Sequence, residues 1–110
     1  MKISLIVGLQ AEDRAVEYLK NIGYSIKERN FHSRFGEIDI VAQKGDVLHF
    51  FEVKYSKEYD AIERITSKKL QKIIKTVDYY MYKKKLDVDY QIDALIVDDA
   101  LVEIVENITY

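Results

Sequence analysis

Two carboxylates in the middle of the chain have the residue types that metal-dependent hydrolysis needs. Asp39 and Glu52 are separated by a segment that predicts a β-hairpin. Gly45-Asp46 is a two-residue turn signal, and it lies between two β-rich runs, residues 37–43 and 47–54. With Gly45 and Asp46 as the loop, Asp39 lies opposite Glu52.

The same register places Glu37 opposite Lys54, and all four side chains project from one face because side chains alternate along a strand. Opposed side chains in a hairpin have Cβ atoms about 5 Å apart. Two carboxylates so close repel each other unless a cation lies between them, and Mg²⁺ is a cation that prefers carboxylate oxygens. The alternative is an ordinary solvated face of the hairpin, and the hairpin pattern alone leaves both interpretations open.

The opposite face of the predicted hairpin is mostly apolar, which predicts that it docks on a hydrophobic core. A buried face pins the strand register, because a slip by one residue would bury the charged side chains. The apolar residues of this face are Ile38, Ile40, Ala42, Phe51 and Val53. His49 lies on the same face, and a lone histidine there is typical of a hydrogen-bonded core residue rather than a metal ligand.

Length and composition limit the class of protein. With 110 residues, no cysteine and a net charge of −2, the chain is expected to be one domain, residues 1–110, without disulfides or a thiolate metal site. No apolar run reaches membrane-spanning length, so no membrane partner is expected. The absence of cysteine and of a signal-peptide pattern favours a cytoplasmic location.

The charge is unevenly distributed along the chain. Basic residues outnumber acidic ones in residues 57–85, whereas residues 86–110 contain several acidic residues and no Lys or Arg. A basic element in an acidic protein can form a local phosphate-binding surface, although a lysine-rich solvated helix face is the alternative. Lys68, Lys72 and Lys75 recur at helical spacing and share one face.

Periodicity and turn signals predict an α/β domain with a mixed sheet and the order α-β-β-β-α-β-β. Gly23 is the predicted stop signal of the first helix, and Thr66 or Ser67 is the predicted cap of the second. Asp60-Ala61-Ile62-Glu63 resembles a capping box and predicts a short helical turn. The predicted helices span residues 9–22 and about 67–84; the predicted strands span residues 24–31, 37–43, 47–54, 90–97 and 100–105.

Two polar residues lie close to the apolar stripes of these helices. Glu12 falls on the stripe of Val16 and Leu19, so it should face the sheet, where a carboxylate needs a partner. That partner could be a metal, or an arginine in a purely structural pair. Lys69 borders the stripe of the second helix, where it could reach a phosphate or extend to water. That stripe consists of Leu70, Ile73, Ile74, Val77, Tyr80 and Met81.

These residues together resemble those of a known group of proteins. The residues that carry the resemblance are Gly8, Ala11-Glu12, Ala15, Tyr18-Leu19, Gly23-Tyr24, Arg29-Asn30, Gly36-Glu37-Ile38-Asp39, Phe51-Glu52-Val53-Lys54, Lys69, Lys72-Ile73 and Asp93. The pattern resembles the PD-(D/E)XK nuclease superfamily, within it the Holliday-junction resolvases, and most closely the YraN-like family of bacterial proteins. It covers about residues 8 to 97.

The resemblance implies a restriction-endonuclease-like core with three layers, α/β/α, and metal-dependent phosphodiester hydrolysis. Asp39 and Glu52 would hold Mg²⁺ or Mn²⁺, with the carbonyl of Val53 as a further ligand. Lys54 would orient a water molecule or stabilise charge on the phosphate. Glu12 would complete the catalytic and metal-binding set, and Glu37 would support it, in part by pairing with Lys54.

The expected function is therefore a DNA endonuclease, with branched DNA as a candidate substrate. DNA is the expected partner, bound weakly through Lys68, Lys69, Lys72 and Lys75, and a homodimer is an allowed assembly. Two basic groups that the family usually carries are replaced by Ser56 and Gln91. This difference and the acidic net charge keep a second class open: a non-catalytic module with the nuclease fold that binds nucleic acid or a protein.

Overall fold

The structure is a computed structural model that describes residues 3–56 and 65–109, with side chains in the first helix from residue 10 onward. Within these residues the chain forms an α/β fold with two helices and five strands in the predicted order. The elements are α1 (Ile3–Asn21), β1 (Ser25–Ser33), β2 (Gly36–Lys44), β3 (Val47–Tyr55), α2 (Ser67–Lys83), β4 (Asp89–Val97) and β5 (Val102–Val105). The helical turn predicted at residues 60–63 lies outside the described residues. Neither helix is long and apolar enough within the described part to cross a membrane.

The five strands form one mixed sheet in the order β1-β2-β3-β4-β5. Strands β1, β2 and β3 form an antiparallel meander, and β5 pairs antiparallel with β4. Strand β4 runs parallel to β3, because α2 carries the chain back across the sheet before β4 begins. The predicted hairpin register is confirmed where the two strands pair, from Lys44 opposite Val47 to Ile40 opposite Phe51.

Helix α1 begins earlier than predicted, at Ile3 rather than near residue 9. The prediction started at the first residue of the apolar stripe, but residues 3–9 contain no proline to interrupt the helix. The end of α1 agrees with the prediction. Gly23 has a φ of +100°, its N–H donates to the Lys20 carbonyl and the Tyr24 N–H donates to the Leu19 carbonyl. Glycine fits this left-handed closing turn because it has no Cβ.

Helix α2 begins and ends close to the predicted positions. Thr66 is the N-cap, and its side-chain oxygen accepts a hydrogen bond from the Lys69 N–H. The middle of α2 lies against the start of β2, where Gly36 has a φ of +152° and a Cβ would lie 3.3 Å from Thr76 Oγ1. This close approach places Lys72 beside the strand that carries Asp39, since a Cβ at Gly36 would also lie 3.7 Å from Lys72 Cβ.

Both faces of the sheet are buried, whereas the sequence predicted one apolar and one polar face for the hairpin. Phe51 belongs to a core cluster with α1 and Phe50 belongs to a second cluster with α2. Consecutive strand residues point to opposite faces, so the two helices cover opposite sides of the sheet. Of the apolar residues predicted to share one face, Ile40, Ala42, Phe51 and Val53 pack with α1. The prediction is wrong for Ile38, which packs with α2, so simple alternation does not hold between Ile38 and Ile40.

Strand β1 changes face twice, which periodicity did not predict. A register shift between Ile26 and Glu28 leaves Ile26 in the α1 cluster but turns Glu28 to within 3.6 Å of Lys84, at the end of α2. Strict alternation along the predicted strand 24–31 would place Glu28 on the face of Ile26, and the register shift prevents this. Asn30 then has a left-handed backbone with a φ of +55°. Such a residue breaks the alternation of side chains along a strand.

Candidate functional site

Asp39 lies at the point where β2 and β3 separate. The backbone ladder of the hairpin ends at Ile40 and Phe51, and the Val53 N–H donates instead to Asp39 Oδ2, at 2.8 Å. The N–H and C=O of one strand residue point to the same side. The carbonyl of Val53 therefore also points to the β2 side of β3, the side on which Asp39 lies, and is outside the hairpin ladder.

The Asp39 carboxyl is mostly buried and surrounded by like charges. Burial, followed by the neighbouring Glu52, raises the pKa of Asp39 from its ordinary value of 3.8 to about 7, and Glu12 and Glu37 act in the same direction. The hydrogen bond from Val53 opposes this shift without cancelling it. Within the described residues Asp39 forms no ion pair. Val53 therefore holds the carboxyl group in place, and no cation from residues 3–56 or 65–109 neutralises it.

Glu52 and Lys54 form an ion pair beside Asp39. Lys54 Nζ lies 3.2 Å from Glu52 Oε1, and both side chains are largely buried. The lysine therefore compensates Glu52 and contacts one member of the carboxylate pair.

Glu37 lies at the edge of this group and not within it. It is exposed and lies opposite His32 of β1, with Glu37 Oε2 3.1 Å from His32 Nδ1. The predicted pairing of Glu37 with Lys54 is not formed, because β2 and β3 separate before residue 37. Glu37 influences Asp39 through its charge alone.

Glu12 projects from α1 toward the sheet, as its position on the apolar stripe predicted, and is only 7% exposed. Its Oε1 accepts hydrogen bonds from Arg29 Nε at 3.1 Å and from Asn30 Nδ2 at 3.0 Å. Arg29 also donates to Asp13 at 2.7 Å. The arginine-paired alternative for Glu12 is therefore present in this structure, although Glu12 is still close enough to raise the pKa of Asp39.

The four candidate phosphate-binding lysines all lie in the first half of α2 and all are exposed. Lys68 and Lys69 occupy the first turn, which contains no acidic residue. The N-terminal end of a helix carries a partial positive charge, so two lysines there destabilise the isolated helix and favour an anion nearby. Lys72 lies beside Gly36, as described above, and so connects this face of α2 to the strand that carries Asp39. The four residues are Lys68, Lys69, Lys72 and Lys75.

A second polar cluster surrounds Asp93 of β4, which lies beside Phe51 of β3. Asp93 is fully buried, and its Oδ2 lies 2.7 Å from His49 Nδ1. Its Oδ1 accepts from Gln91 Nε2 and from the Asn107 N–H, both at 2.9 Å. His49 is itself buried against Tyr24 and Phe51. This confirms the prediction that His49 is a hydrogen-bonded core residue.

Among the described residues, one trio of possible metal ligands brings its donor atoms within 4.8 Å of one another, namely His49, Asp93 and Glu106. Both Asp93 oxygens already have protein partners, so this trio is best explained as a structural network. Glu12, Asp39 and Glu52 do not form so tight a trio. Asp39 and Glu52 could hold a metal only as a pair in this arrangement, and Glu12 would have to leave Arg29 to join them.

The sequence did not predict that Arg29 and Asn30 would contact the site residues. They belong to the motif that carries the family resemblance, and an arginine partner for Glu12 was foreseen without being identified. The sequence indicated only that a buried Glu12 needs a hydrogen-bond partner. Which residues provide that partner depends on the left-handed backbone at Asn30, which is seen only in the structure.

Comparison with known proteins defines the family. Residues 11–97 match the uncharacterised protein family UPF0102. A UPF0102 protein of Campylobacter fetus is 47% identical over 106 residues, which cover 96% of this chain and 95% of that protein. A UPF0102 protein of Helicobacter pylori is 52% identical over 103 residues, covering 94% of this chain and 90% of the relative. One from a Nitratiruptor species is 45% identical over 106 residues, covering 96% and 95% respectively. By its sequence, this protein belongs to the UPF0102 family, the family of the YraN-like proteins.

Proposed function

We propose that this protein is a metal-dependent endonuclease that hydrolyses phosphodiester bonds in DNA, with branched DNA as a substrate class. The observation that carries the proposal is Asp39: a mostly buried carboxyl whose pKa is raised to about 7 by burial and by Glu52, with no cation partner among the described residues. A fold retains such an unfavourable group more readily where it has a function.

The oxygen donors around Asp39 fit Mg²⁺ or Mn²⁺. Asp39 and Glu52 supply carboxylate oxygens, and the Val53 carbonyl points to the side of β3 on which Asp39 lies. Such oxygens are the donors that hard cations prefer. When bound, such a metal would polarise the phosphate and lower the pKa of a water molecule. The mixed sheet, with a helix on each face, is compatible with the restriction-endonuclease-like core that we include in the proposal.

The residues of the chain have separate parts in this proposal. Val53 holds Asp39 through its N–H, so the carboxylate is oriented before any ligand binds. Lys54, which contacts Glu52, places a positive charge where a phosphate oxygen would carry negative charge. Lys69 and Lys72 extend the positive charge along α2, so that DNA is held beside the carboxylates. The reaction would take place in the cytoplasm, where chromosomal DNA and Mg²⁺ are both present.

The first test is metal binding, measured by titration calorimetry with Mn²⁺. The wild type should bind, and the double variant Asp39→Asn plus Glu52→Gln should not. Asp46→Asn is the matched control, because Asp46 is an exposed carboxylate in the turn of the same hairpin. An unchanged signal in the double variant would remove these two residues from any metal site.

The second test is cleavage of four-way, flapped, duplex and single-stranded DNA with Mg²⁺ or Mn²⁺. The wild type should cleave at least one branched form, and Asp39→Asn and Lys54→Met should abolish cleavage while Asp46→Asn retains it. Activity that survives Asp39→Asn would contradict the proposed site.

The second candidate function is a non-catalytic nucleic-acid-binding module. The ion pairs that already occupy Glu12 and Lys54 favour it, because both side chains would have to exchange partners during catalysis. This candidate predicts DNA binding in the same panel with no cleavage at any metal concentration, and an affinity that falls steeply with salt.

A further inference from the structure

One side of α2 carries lysines in the first half of the helix and tyrosines with a further lysine in the second half. An α-helix has 3.6 residues per turn, so residues 68, 72, 75, 79, 82 and 83 fall within an arc of about 100° on one side. The first three are exposed lysines, and the next are two tyrosines followed by a lysine. No acidic residue lies within this stripe, which we call the α2 stripe; it consists of Lys68, Lys72, Lys75, Tyr79, Tyr82 and Lys83.

The aromatic end of the α2 stripe borders an open depression of about 550 Å³. This volume is in the range of small-ligand sites. Among the described residues, its lining combines aromatic and aliphatic side chains with two lysines and contains no carboxylate. The lining residues are Tyr79, Met81, Tyr82, Lys83, Lys85 and Leu86.

The two tyrosines of the stripe differ in how they are held. Tyr79 is fixed by rings beneath it, with its centroid 6.2 Å from Phe31 and 6.0 Å from Phe35. Lys83 Nζ lies 5.9 Å from the centroids of both Tyr79 and Phe31, so its charge is positioned over this group. Tyr82 is 82% exposed and contacts no other ring within the described residues. One ring is thus a fixed wall of the depression, and the other is a free aromatic face beside it.

A single exposed tyrosine on a helix needs no functional explanation. Here, however, the exposed ring lies beside lysines and on the same helix face as three more. Aromatic faces next to positive charges are the combination that binds single-stranded nucleic acid, through stacking of bases and attraction of phosphates. An acidic peptide would use the lysines but would not need two aromatic rings at the same place.

We propose that this depression binds the unpaired bases of a single-stranded DNA segment, with a base stacked on Tyr82 and its phosphate held by Lys83 and Lys85. The strand would continue along Lys75 and Lys72 toward Asp39. Ten residues separate Tyr82 from Lys72, which is about 15 Å along the helix axis. The inference rests on the proposed function only in taking DNA as the ligand. It defines the substrate as DNA that carries a single-stranded overhang or flap next to the cleaved bond.

The test is fluorescence anisotropy with a labelled oligothymidylate at low salt and with EDTA, so that no metal-dependent step contributes. Stacking on one aromatic side chain changes affinity by about 5- to 150-fold when the ring is removed. Tyr82→Ala should therefore weaken binding by about 10-fold or more, and Tyr82→Phe, which keeps the ring, should bind like the wild type. Tyr90→Ala is the matched control, since Tyr90 is also an exposed tyrosine but lies outside the stripe.

Inorganic polyphosphate serves as a ligand with phosphates and no bases. Its affinity should fall in Lys83→Ala plus Lys85→Ala but stay unchanged in Tyr82→Ala. The inference is overturned if Tyr82→Ala binds oligothymidylate like the wild type, or if it weakens polyphosphate binding equally. It is also overturned if a poly-glutamate peptide binds the stripe and the oligonucleotide does not, which would indicate a protein partner.

These outcomes are separable from those of the proposed nuclease activity. Loss of Mn²⁺ binding and cleavage as predicted in the Asp39 and Glu52 variants, with no effect of Tyr82→Ala on binding, would contradict only the stacking site. Oligonucleotide binding that depends on Tyr82 in a protein that never cleaves DNA would contradict only the nuclease.

Discussion

Asp39 and Asp93 are two aspartates of one sheet, the first mostly and the second fully buried, and their surroundings differ in kind. Asp93 is fully buried and receives hydrogen bonds from His49, Gln91 and the Asn107 backbone. Asp39 receives one bond, from Val53, and otherwise interacts with Glu52, Glu12 and Glu37, which raise its pKa. Burial alone therefore does not distinguish a structural carboxylate from a candidate functional one.

Asp39 and Asp93 differ in the hydrogen-bond donors that surround their carboxyl groups. A buried polar group that has all its partners supports the fold, whereas one surrounded by like charges destabilises it until a cation arrives. The region of Asp93 should therefore lose stability when its carboxylate is removed, and the region of Asp39 should gain stability. Four substitutions can break or sharpen this contrast.

The largest effect is expected at Asp93. Asp93→Ala would leave His49 and the other donors without their acceptor in the core, which should lower the free energy of unfolding by about 3 kcal/mol. Urea denaturation measures this change, with Asp46→Ala as the exposed control. A loss below about 1 kcal/mol would show that the network around Asp93 is not structural.

Asp39→Asn should stabilise the protein in the absence of metal. The ordinary pKa of Asp39 is 3.8 and its folded value is about 7, so the folded state holds the proton more tightly, and wild-type stability should fall as pH rises from about 4 to about 7. The side chain of the variant does not ionise, so the variant should be more stable than the wild type by about 2 kcal/mol above about pH 7.

The measurement for Asp39 is a set of urea titrations of both proteins across that pH range. The difference between them should become small near pH 4, close to the ordinary pKa of 3.8, and vanish at lower pH, where Asp39 is protonated in the folded and the unfolded chain alike. A difference that is independent of pH, or a variant that is less stable at neutral pH, would show that Asp39 resembles Asp93.

Glu12 lies beside Asp39 but has hydrogen-bond partners, as Asp93 does. The change in stability on removing its carboxylate should therefore lie between the changes expected for Asp39 and Asp93. Glu12→Ala should lower the free energy of unfolding by about 1 to 3 kcal/mol, because Asn30 and Arg29 lose an acceptor. Glu12→Gln keeps an acceptor oxygen and should lose less in the same urea titration. A stabilising Glu12→Ala would group Glu12 with Asp39 and strengthen its assignment as a metal ligand.

The smallest effect is expected at Glu52. Glu52→Gln removes the repulsion with Asp39 but also removes the ion pair with Lys54, so the two changes offset and stability should stay within about 1 kcal/mol. Thermal unfolding without metal tests this. A loss above about 2 kcal/mol would make Glu52 chiefly the structural partner of Lys54.

Much of the fold could be predicted because its signals are local. The turn at Gly45-Asp46 determines the hairpin register, the Thr66 cap and the apolar stripe determine α2, and Gly23 ends α1. The start of α1 and the face of Glu28 could not be predicted. The first is not marked by a capping signal in residues 3–9, and the second depends on a bulge that appears only when β1 pairs with β2.

The sequence by itself determined which residues could do chemistry, because Asp39, Glu52 and Lys54 are placed by strand periodicity and one turn. Only the tertiary structure decided which neighbouring group offsets the charge of each side chain. Glu12 meets Arg29 across 17 positions of the chain, and His49 meets Asp93 across 44. Pairing over such distances depends on how helices and strands pack, which local patterns do not encode. For the same reason Asp39 has no cation partner in the part of the chain that the structure describes, since packing brought three carboxylates to it and directed the nearby Arg29 and Lys54 to others.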